Sequence, residues 1–235
     1  MCKLLISVRS AEEAQVVLRH GVPFVDVKEP RSGSLGKADD DEIHRISRAA
    51  QAHAGVTVTA ALGELREIDP ATWRPVEGVA FYKLGLAGCA QLPWQEQLHG
   101  WRTRIDERAP QASLIAAAYA DHHLAESPTP RNVLEVAAGL ELSYFLIDTF
   151  DKRAGRLLSW LREPEIKELI DTAHKRGVRV ALAGSLRLEE LSAAAELGAD
   201  ILAVRGAVCS AAERNAKVDS DRVATACRFL AVERA

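Results

Sequence analysis

Short apolar segments alternate with helical segments along the whole chain, and this alternation most limits the folds available to it. Eight apolar segments stand out, and they are Lys3–Val8, Phe24–Lys28, Val56–Leu62, Val79–Leu84, Ser113–Tyr119, Tyr144–Asp148, Arg179–Ala183 and Ile201–Arg205. They are almost continuously apolar, which is typical of parallel strands covered by helices on both faces. The pattern therefore predicts a parallel α/β architecture.

The connections between these strands carry apolar residues at helical spacing. The clearest predicted helices are Ala11–His20, Asp39–His53, Pro164–Arg176 and Leu188–Leu197. Three of them are followed by a glycine (Gly21, Gly177 and Gly198), which is where glycine commonly ends a helix. Pro70 and Pro75 interrupt the connection after the third strand, so we expect that unit to be partly irregular.

Eight strand–helix units fill one closed barrel. Because no linker rich in Pro, Gly or Ser divides the chain, we predict a single α/β domain over residues 1–235, folded as a TIM-type (β/α)8 barrel. The 235 residues are close to the ~250 that such a barrel typically uses. A doubly wound open sheet is the alternative, although no G-x-G-x-x-G motif follows the first strand, which argues against a dinucleotide-binding version.

Charge, cysteine content and hydropathy argue against several classes of protein. A net charge of -3 argues against a nucleic-acid or anionic-membrane partner. The four cysteines are far apart, so neither a disulfide framework nor a metal site is predicted. The N-terminal apolar run is too short for a signal peptide, and no stretch reaches the roughly 18 apolar residues of a membrane span. We therefore expect a cytoplasmic protein, and the sequence leaves homo-oligomerisation open.

Charged residues collect at the C-terminal ends of the predicted strands, where barrels carry their active sites. Asp26 and Lys28 end the second strand and point to the same side of the sheet, because they are two positions apart. Lys83 ends the fourth strand, and Asp148, followed by Lys152, ends the sixth. These five residues are the candidate catalytic groups.

For any one of these lysines taken alone, a structural salt bridge to a neighbouring aspartate is as good an explanation as a catalytic role. Three lysines at the same end of separate strands instead indicate a functional site. Mutual repulsion lowers the pKa of at least one amine, and a neutral amine attacks aldehydes to form a Schiff base. The two aspartates then hold the ammonium forms or transfer protons.

Two groups of small residues predict phosphate-binding loops. The loops after strands seven and eight usually bind phosphate in this fold, and here they contain Gly184, Ser185, Arg205, Gly206 and Ala207. A second candidate loop follows the second strand and contains Ser32, Gly33 and Ser34. An ordinary turn is the alternative for this loop, and a core salt bridge is the alternative for the arginine. Two anion loops around one lysine cluster indicate two phosphorylated substrates, or one substrate with a phosphate at each end.

The sequence at these positions resembles the (5-formylfuran-3-yl)methyl phosphate synthase family of methanofuran biosynthesis, also called 4-(hydroxymethyl)-2-furancarboxaldehyde-phosphate synthase. The shared motifs occur in order over nearly the whole chain: D-V-K-x-P at 26–30, G-S-L-G at 33–36, Y-K-L-G-L at 82–86, Y-A-D at 119–121, D-T at 148–149, A-L-A-G-S at 181–185, V-R-G-A-x-C at 204–209 and R-N at 214–215. The Trp-rich segment 94–101 and the His122–His123 pair depart from the archaeal pattern, which indicates a divergent member.

The resemblance implies a lyase that condenses two glyceraldehyde 3-phosphate molecules into the furan aldehyde phosphate, with loss of phosphate and water. It assigns Lys28 as the Schiff-base lysine and Lys83 as the proton acceptor. Asp26, Asp148 and Lys152 fall on the remaining active-site positions of the family. Neither a metal nor an organic cofactor is implied, and the partner is a small phosphorylated aldehyde.

Two other functions fit parts of the sequence. A class I aldolase or isomerase-like barrel acting on a triose phosphate needs one lysine and one phosphate pocket, and it releases no phosphate. A non-catalytic phosphosugar-binding module would bind its ligand without turnover. Three converging lysines argue against this module, because binding alone does not require them.

Overall fold

The eight predicted strands form one closed parallel barrel in chain order within residues 2–231, the part of the chain that the computed structural model describes. The strands are β1 (Lys3–Val8), β2 (Phe24–Val27), β3 (Thr57–Glu64), β4 (Val79–Gly85), β5 (Ser113–Tyr119), β6 (Tyr144–Asp148), β7 (Arg179–Leu182) and β8 (Ile201–Val204). Strand β8 pairs with β1 and closes the barrel. The predicted (β/α)8 barrel is confirmed, and the open-sheet alternative is wrong.

Helices cover the outside of the barrel. They are α1 (Ala11–Arg19), α2 (Asp40–Gln51), α3 (Trp94–Arg108), α4 (His122–Ala125), α5 (Pro130–Gly139), α6 (Leu157–Trp160), α7 (Glu163–Lys175), α8 (Leu191–Glu196) and α9 (Ser220–Ala231). The hydroxyl of Ser10 caps α1 by accepting from the amide of Glu13. No described helix has the length and apolar character needed to cross a membrane.

The connection between β3 and β4 is irregular, as its prolines predicted. Its described residues form a 3-10 turn at Leu65–Glu67 and otherwise no helix. Trp73, which lies in this connection, is buried and packs edge-on against Tyr82 at 5.1 Å and Trp101 at 5.6 Å between ring centroids. Aromatic packing therefore covers this side of the barrel in place of a helix.

The barrel interior changes from apolar to polar along the strands. Phe24, Phe81 and Tyr144 meet edge-on at its N-terminal end, with centroid separations of 6.4 and 5.1 Å. Side chains two positions further along a strand point to the same side, so Asp26 and Lys83 also face the interior, nearer the C-terminal end. This gradient places charged groups above an apolar floor, which is where their ionisation is most perturbed.

Candidate active site

A cavity of about 530 Å³ lies at the C-terminal ends of the strands. All five candidate catalytic residues, which are Asp26, Lys28, Lys83, Asp148 and Lys152, line this one cavity. Amines from β4 and from the ends of β2 and β6 therefore face a common space. Among residues 2–231, no group of three or more His, Cys, Asp or Glu side chains is arranged to hold a metal ion.

Asp26 is the centre of the first polar network. Its carboxylate pairs with the Nζ of Lys83 at 2.5 Å and accepts hydrogen bonds from Ser7 at 2.8 Å and Thr59 at 2.7 Å. The parallel register places both hydroxyls directly beside it, on β1 and β3. Burial alone raises the pKa of Asp26, but Lys83 and Lys28 outweigh it and lower the pKa below its usual value. Asp26 is therefore ionised and holds Lys83 in place.

Asp148 is the centre of the second network. It forms an ion pair with Lys152 and accepts hydrogen bonds from the amide of Thr149 at 2.8 Å and the hydroxyl of Ser34 at 2.9 Å. Burial opposes its ionisation, but the charges of Lys152 and Lys28 are stronger and lower the pKa of Asp148 to about 2. Burial also lowers the pKa of Lys152. These two side chains neutralise one another inside the cavity.

Lys28 is the cavity lysine without its own carboxylate. Its Nζ donates to the carbonyl of Ser34 at 3.3 Å, and within residues 2–231 no carboxylate lies within 4.0 Å of it. The pKa of Lys28 is lowered to about 7: burial is the largest cause, and the charges of Lys152 and Lys83 add to it against the opposing effect of Asp148 and Asp26. The sequence-based explanation, repulsion among the lysines, is therefore corrected: burial is the larger cause, and repulsion adds to it.

The loop after β7 presents free backbone amides to the cavity. Gly184 and Ser185 both line it, and both have positive φ angles, of 104° and 55°. The amides of Gly184, Ser185 and Leu186 donate to no acceptor within the described chain. The φ angle of Gly184 is one that residues with a side chain rarely adopt, and a Cβ there would also come within 3.1 Å of Leu157 and Thr149, so the position favours glycine. Such amides at a strained turn form an anion-binding concavity. Gly206 and Ala207 complete the same wall of the cavity.

Arg205 lies at the cavity edge, but its guanidinium is turned into the core. It pairs with Glu13 at 2.9 Å and donates to the carbonyls of Ser7 at 2.9 Å and Arg214 at 2.6 Å. The side chain is 4% exposed, so its donors are not available to a ligand. The contacts of Arg205 therefore favour the alternative interpretation, a buried salt bridge, over a phosphate contact.

The loop after β2 also differs from the sequence-based expectation. Ser32 and Gly33 are exposed and do not line the cavity. Ser34 is 1% exposed, and its hydroxyl lies 2.9 Å from Asp148 and 2.8 Å from the carbonyl of Thr149. This loop thus orients the catalytic groups: the Ser34 carbonyl receives Lys28 while its hydroxyl supports Asp148.

A buried acid–phenol pair lies beside the cavity, at the ends of β3 and β5. The hydroxyl of Tyr119 donates to Glu64 at 2.5 Å, and the amide of Ala87 donates to the other carboxylate oxygen at 2.8 Å. Burial raises the pKa of Glu64 and, together with the glutamate, that of Tyr119. Gly85 packs directly against this pair and leaves no room for a side chain. The pair therefore positions the end of β4, two residues after Lys83.

Ser7, Thr59 and Arg222 are among the cavity or network residues to which the sequence analysis gave no role, and it noted Arg214 only as part of the R-N motif. The two hydroxyls could have been found from the two-residue period of strands together with the barrel register, which places Ser7 and Thr59 beside Asp26. Arg214 lies in the loop between β8 and α9, and Arg222 lies in α9; local periodicity does not show that either arginine faces the cavity.

The chain matches one known protein family over most of its length. A family model described as 4-HFC-P synthase matches residues 4–227. This chain belongs to the 4-HFC-P synthase family. The family resemblance stated from the motifs is thereby confirmed.

Curated relatives of this family member carry the same enzyme name. This chain is 35% identical over 219 residues to (5-formylfuran-3-yl)methyl phosphate synthase of Methanopyrus kandleri, and the match covers 91% of this chain and 92% of the relative. It is 30% identical over 230 residues to the enzyme of that name from Methanococcus maripaludis, covering 94% and 95%. The 4-HFC-P synthase family member described here is accordingly an enzyme of this type.

Solved structures support the fold. Phosphoribosyl anthranilate isomerase from Thermotoga maritima superposes with a TM-score of 0.64 at 17% identity, covering 97% of this chain and 98% of that one. At this identity the likeness concerns the barrel alone, so the chemistry has to be argued from the cavity.

Proposed function

We propose that this enzyme condenses two molecules of glyceraldehyde 3-phosphate into (5-formylfuran-3-yl)methyl phosphate through a Schiff base on Lys28. The product would serve the biosynthesis of methanofuran or a related C1 carrier. The observation that carries the proposal is a buried amine with its pKa lowered to about 7, in a cavity that also holds ionised aspartates. A neutral amine is the form that attacks an aldehyde.

The reaction begins at the aldehyde carbon of the first triose. Lys28 adds to this carbon and expels water, which gives an iminium ion. The Lys83–Asp26 pair removes the proton from the neighbouring carbon: Lys83 passes one proton to Asp26, 2.5 Å away, and its amine then accepts the proton of the substrate. The released electron pair forms an enamine, which expels phosphate from the third carbon.

The product skeleton dictates the remaining bonds. The other triose first isomerises: a proton moves from its second to its first carbon and its second carbon becomes the carbonyl. The third carbon of the first triose, which is nucleophilic after phosphate loss, adds to this carbonyl and leaves an alcohol that is later lost as water. The hydroxyl on the former aldehyde carbon of the other triose then adds to the second carbon of the first triose and supplies the ring oxygen, and a second water is lost. Hydrolysis of the iminium returns the water lost at the start, so one phosphate and two water molecules leave overall. Aromaticity of the furan favours the last eliminations.

The amide wall at Gly184–Leu186 and Gly206–Ala207 supports a role in holding phosphate during these steps. Backbone amides bind phosphate oxygens without adding another titrating group. Lys152, which is paired with Asp148, lines the same cavity and is a further cation near which the phosphate can leave.

Reductive trapping tests the proposal. The protein is incubated with glyceraldehyde 3-phosphate and cyanoborohydride, and the modified peptide is identified by mass spectrometry. We expect label on Lys28, none after Lys28→Ala, and unchanged labelling in Lys37→Ala, which removes an exposed lysine of the same connection. Label on another residue, or no label in the wild type, would remove the assignment.

Product formation separates this reaction from simpler barrel chemistry. We expect phosphate release together with the ultraviolet absorption of a conjugated furan aldehyde from glyceraldehyde 3-phosphate alone. Consumption of the substrate without phosphate release would instead indicate an aldolase- or isomerase-like reaction.

A further inference from the structure

Arg214 is an arginine of the cavity that the mechanism above does not use. Arg214 lies between β8 and α9 and lines the cavity, where its Nη2 donates to the carbonyl of Gly33 at 2.9 Å. Within residues 2–231 this carbonyl is its one hydrogen-bond acceptor, and no carboxylate forms an ion pair with it. Arg205, the other arginine in this part of the chain, is by contrast fully engaged with Glu13 and backbone carbonyls.

The surroundings of Arg214 favour an anionic ligand. Its side chain is half-buried, and burial lowers the pKa of its guanidinium. A guanidinium has five N–H donors in a planar fork that matches a phosphate, and a partly buried one without a carboxylate is costly. Inside the cavity the cations outnumber the carboxylates, so the available charge is positive.

The backbone of Arg214 lies beside Gly206 of the amide wall, but its guanidinium reaches a different loop. Gly33, to which it donates, lies in the loop after β2, whereas Gly184–Leu186 follows β7. Strands β8 and β1 separate β7 from β2 around the closed barrel. The guanidinium is also close enough to Asp148, on β6, to interact with its charge. The donors for an anion therefore form two groups, the amides of Gly184–Leu186 and the guanidinium of Arg214.

We propose that Arg214 binds the phosphate of the second triose phosphate. The inference rests on the proposed function, because a reaction between two phosphorylated molecules needs two phosphate positions. The proposal also assigns a role to the loop after β2. The carbonyl of Gly33 orients Arg214, and Arg214 contacts the phosphomonoester.

The first test compares trapping with turnover in Arg214→Gln. Trapping at Lys28 needs one bound triose, whereas phosphate release with furan formation needs two. We expect the concentration dependence of trapping to stay within about 2-fold of wild type, while kcat/KM for furan formation falls ~10- to 100-fold, the usual effect of losing a charge-assisted hydrogen bond. Arg214→Lys should recover part of this loss. Arg31→Ala, which removes an exposed arginine of the β2 loop, should leave both values unchanged.

Equal losses in trapping and furan formation would place Arg214 at the first phosphate and overturn the proposal. Unchanged furan formation would also overturn it.

The second test does not depend on the chemistry. Calorimetric titration of Lys28→Ala with glyceraldehyde 3-phosphate should give two bound molecules per chain, and the Lys28→Ala, Arg214→Gln double variant should give one. Two bound molecules in both proteins would overturn the Arg214 assignment, as would one in both. If the wild type released no phosphate while these stoichiometries held, the proposed reaction would fail and the subsite would stand.

Discussion

The neutral fraction of Lys28 at physiological pH is the quantity on which the chemistry depends. A lysine with its ordinary pKa of 10.5 is neutral in roughly one molecule in 3,000 at pH 7. With the pKa of Lys28 at about 7, half of the molecules carry the neutral amine. The surroundings of Lys28, burial above all, thus increase the concentration of the neutral amine by about 1,500-fold. Because the protonated amine is inert, the rate of trapping should rise with pH and level off above pH 7.

Two substitutions should move this pKa in opposite directions. Asp148→Asn removes a charge that raises the pKa of Lys28 and frees Lys152 to repel it, so the pKa should fall. Lys152→Met removes that repulsion and leaves Asp148 unpaired, so the pKa should rise. A single nearby charge typically shifts a pKa by ~1–3 units.

The assay is the rate of cyanoborohydride trapping with glyceraldehyde 3-phosphate between pH 5 and 9. Below pH 6 we expect Asp148→Asn to label at least about 10-fold faster than wild type, and Lys152→Met at least about 10-fold slower. Arg153→Ala, which removes a side chain that is 96% exposed, should show the wild-type profile. Coincident profiles, or shifts of the same sign, would refute the reasoning.

Three further substitutions test the contacts around the site by urea denaturation. Ser34→Ala removes a buried hydroxyl and should lower the free energy of unfolding by about 1–2 kcal/mol, whereas the exposed Ser32→Ala should change it by less than about 0.5; equal values would contradict the contacts described. Glu13→Gln leaves Arg205 buried without a carboxylate and should cost about 3 kcal/mol, so a loss below about 1 would show that the arginine does not depend on this pair. Gly85→Ala forces a methyl group against Glu64 and Tyr119 and should lower the free energy of unfolding by about 1–3 kcal/mol. An unchanged free energy would mean that the end of β4 shifts to make room for the methyl group.

The strands and the ends that carry the site were predictable because they follow from local rules. Apolar runs separated by helical segments predict a parallel barrel, and the barrel defines which end holds the active site. Side chains two residues apart share a face, so Asp26 and Lys28 were expected inside the same cavity. The structure places them there, together with Lys83, Asp148 and Lys152.

The roles of the loop residues were not predictable, since they depend on partners far away in the chain. Ser34 contacts Asp148 across 114 residues, and Arg205 contacts Glu13 across 192. Neither partner leaves a mark on the local sequence. A small residue in a loop looks like a phosphate cradle whether its hydroxyl faces a ligand or a buried carboxylate.

By itself, the sequence determined the eight strands, the barrel and the set of charged residues at its C-terminal end, because backbone periodicity and burial are local properties. Tertiary structure alone decided that Lys28 has no ion-paired carboxylate among residues 2–231, that Arg205 pairs with Glu13, and that the guanidinium of Arg214 is left for an anion. The reason is that a charged group is satisfied by whichever opposite charge the fold brings nearest, and folding brings together strands that are distant in sequence.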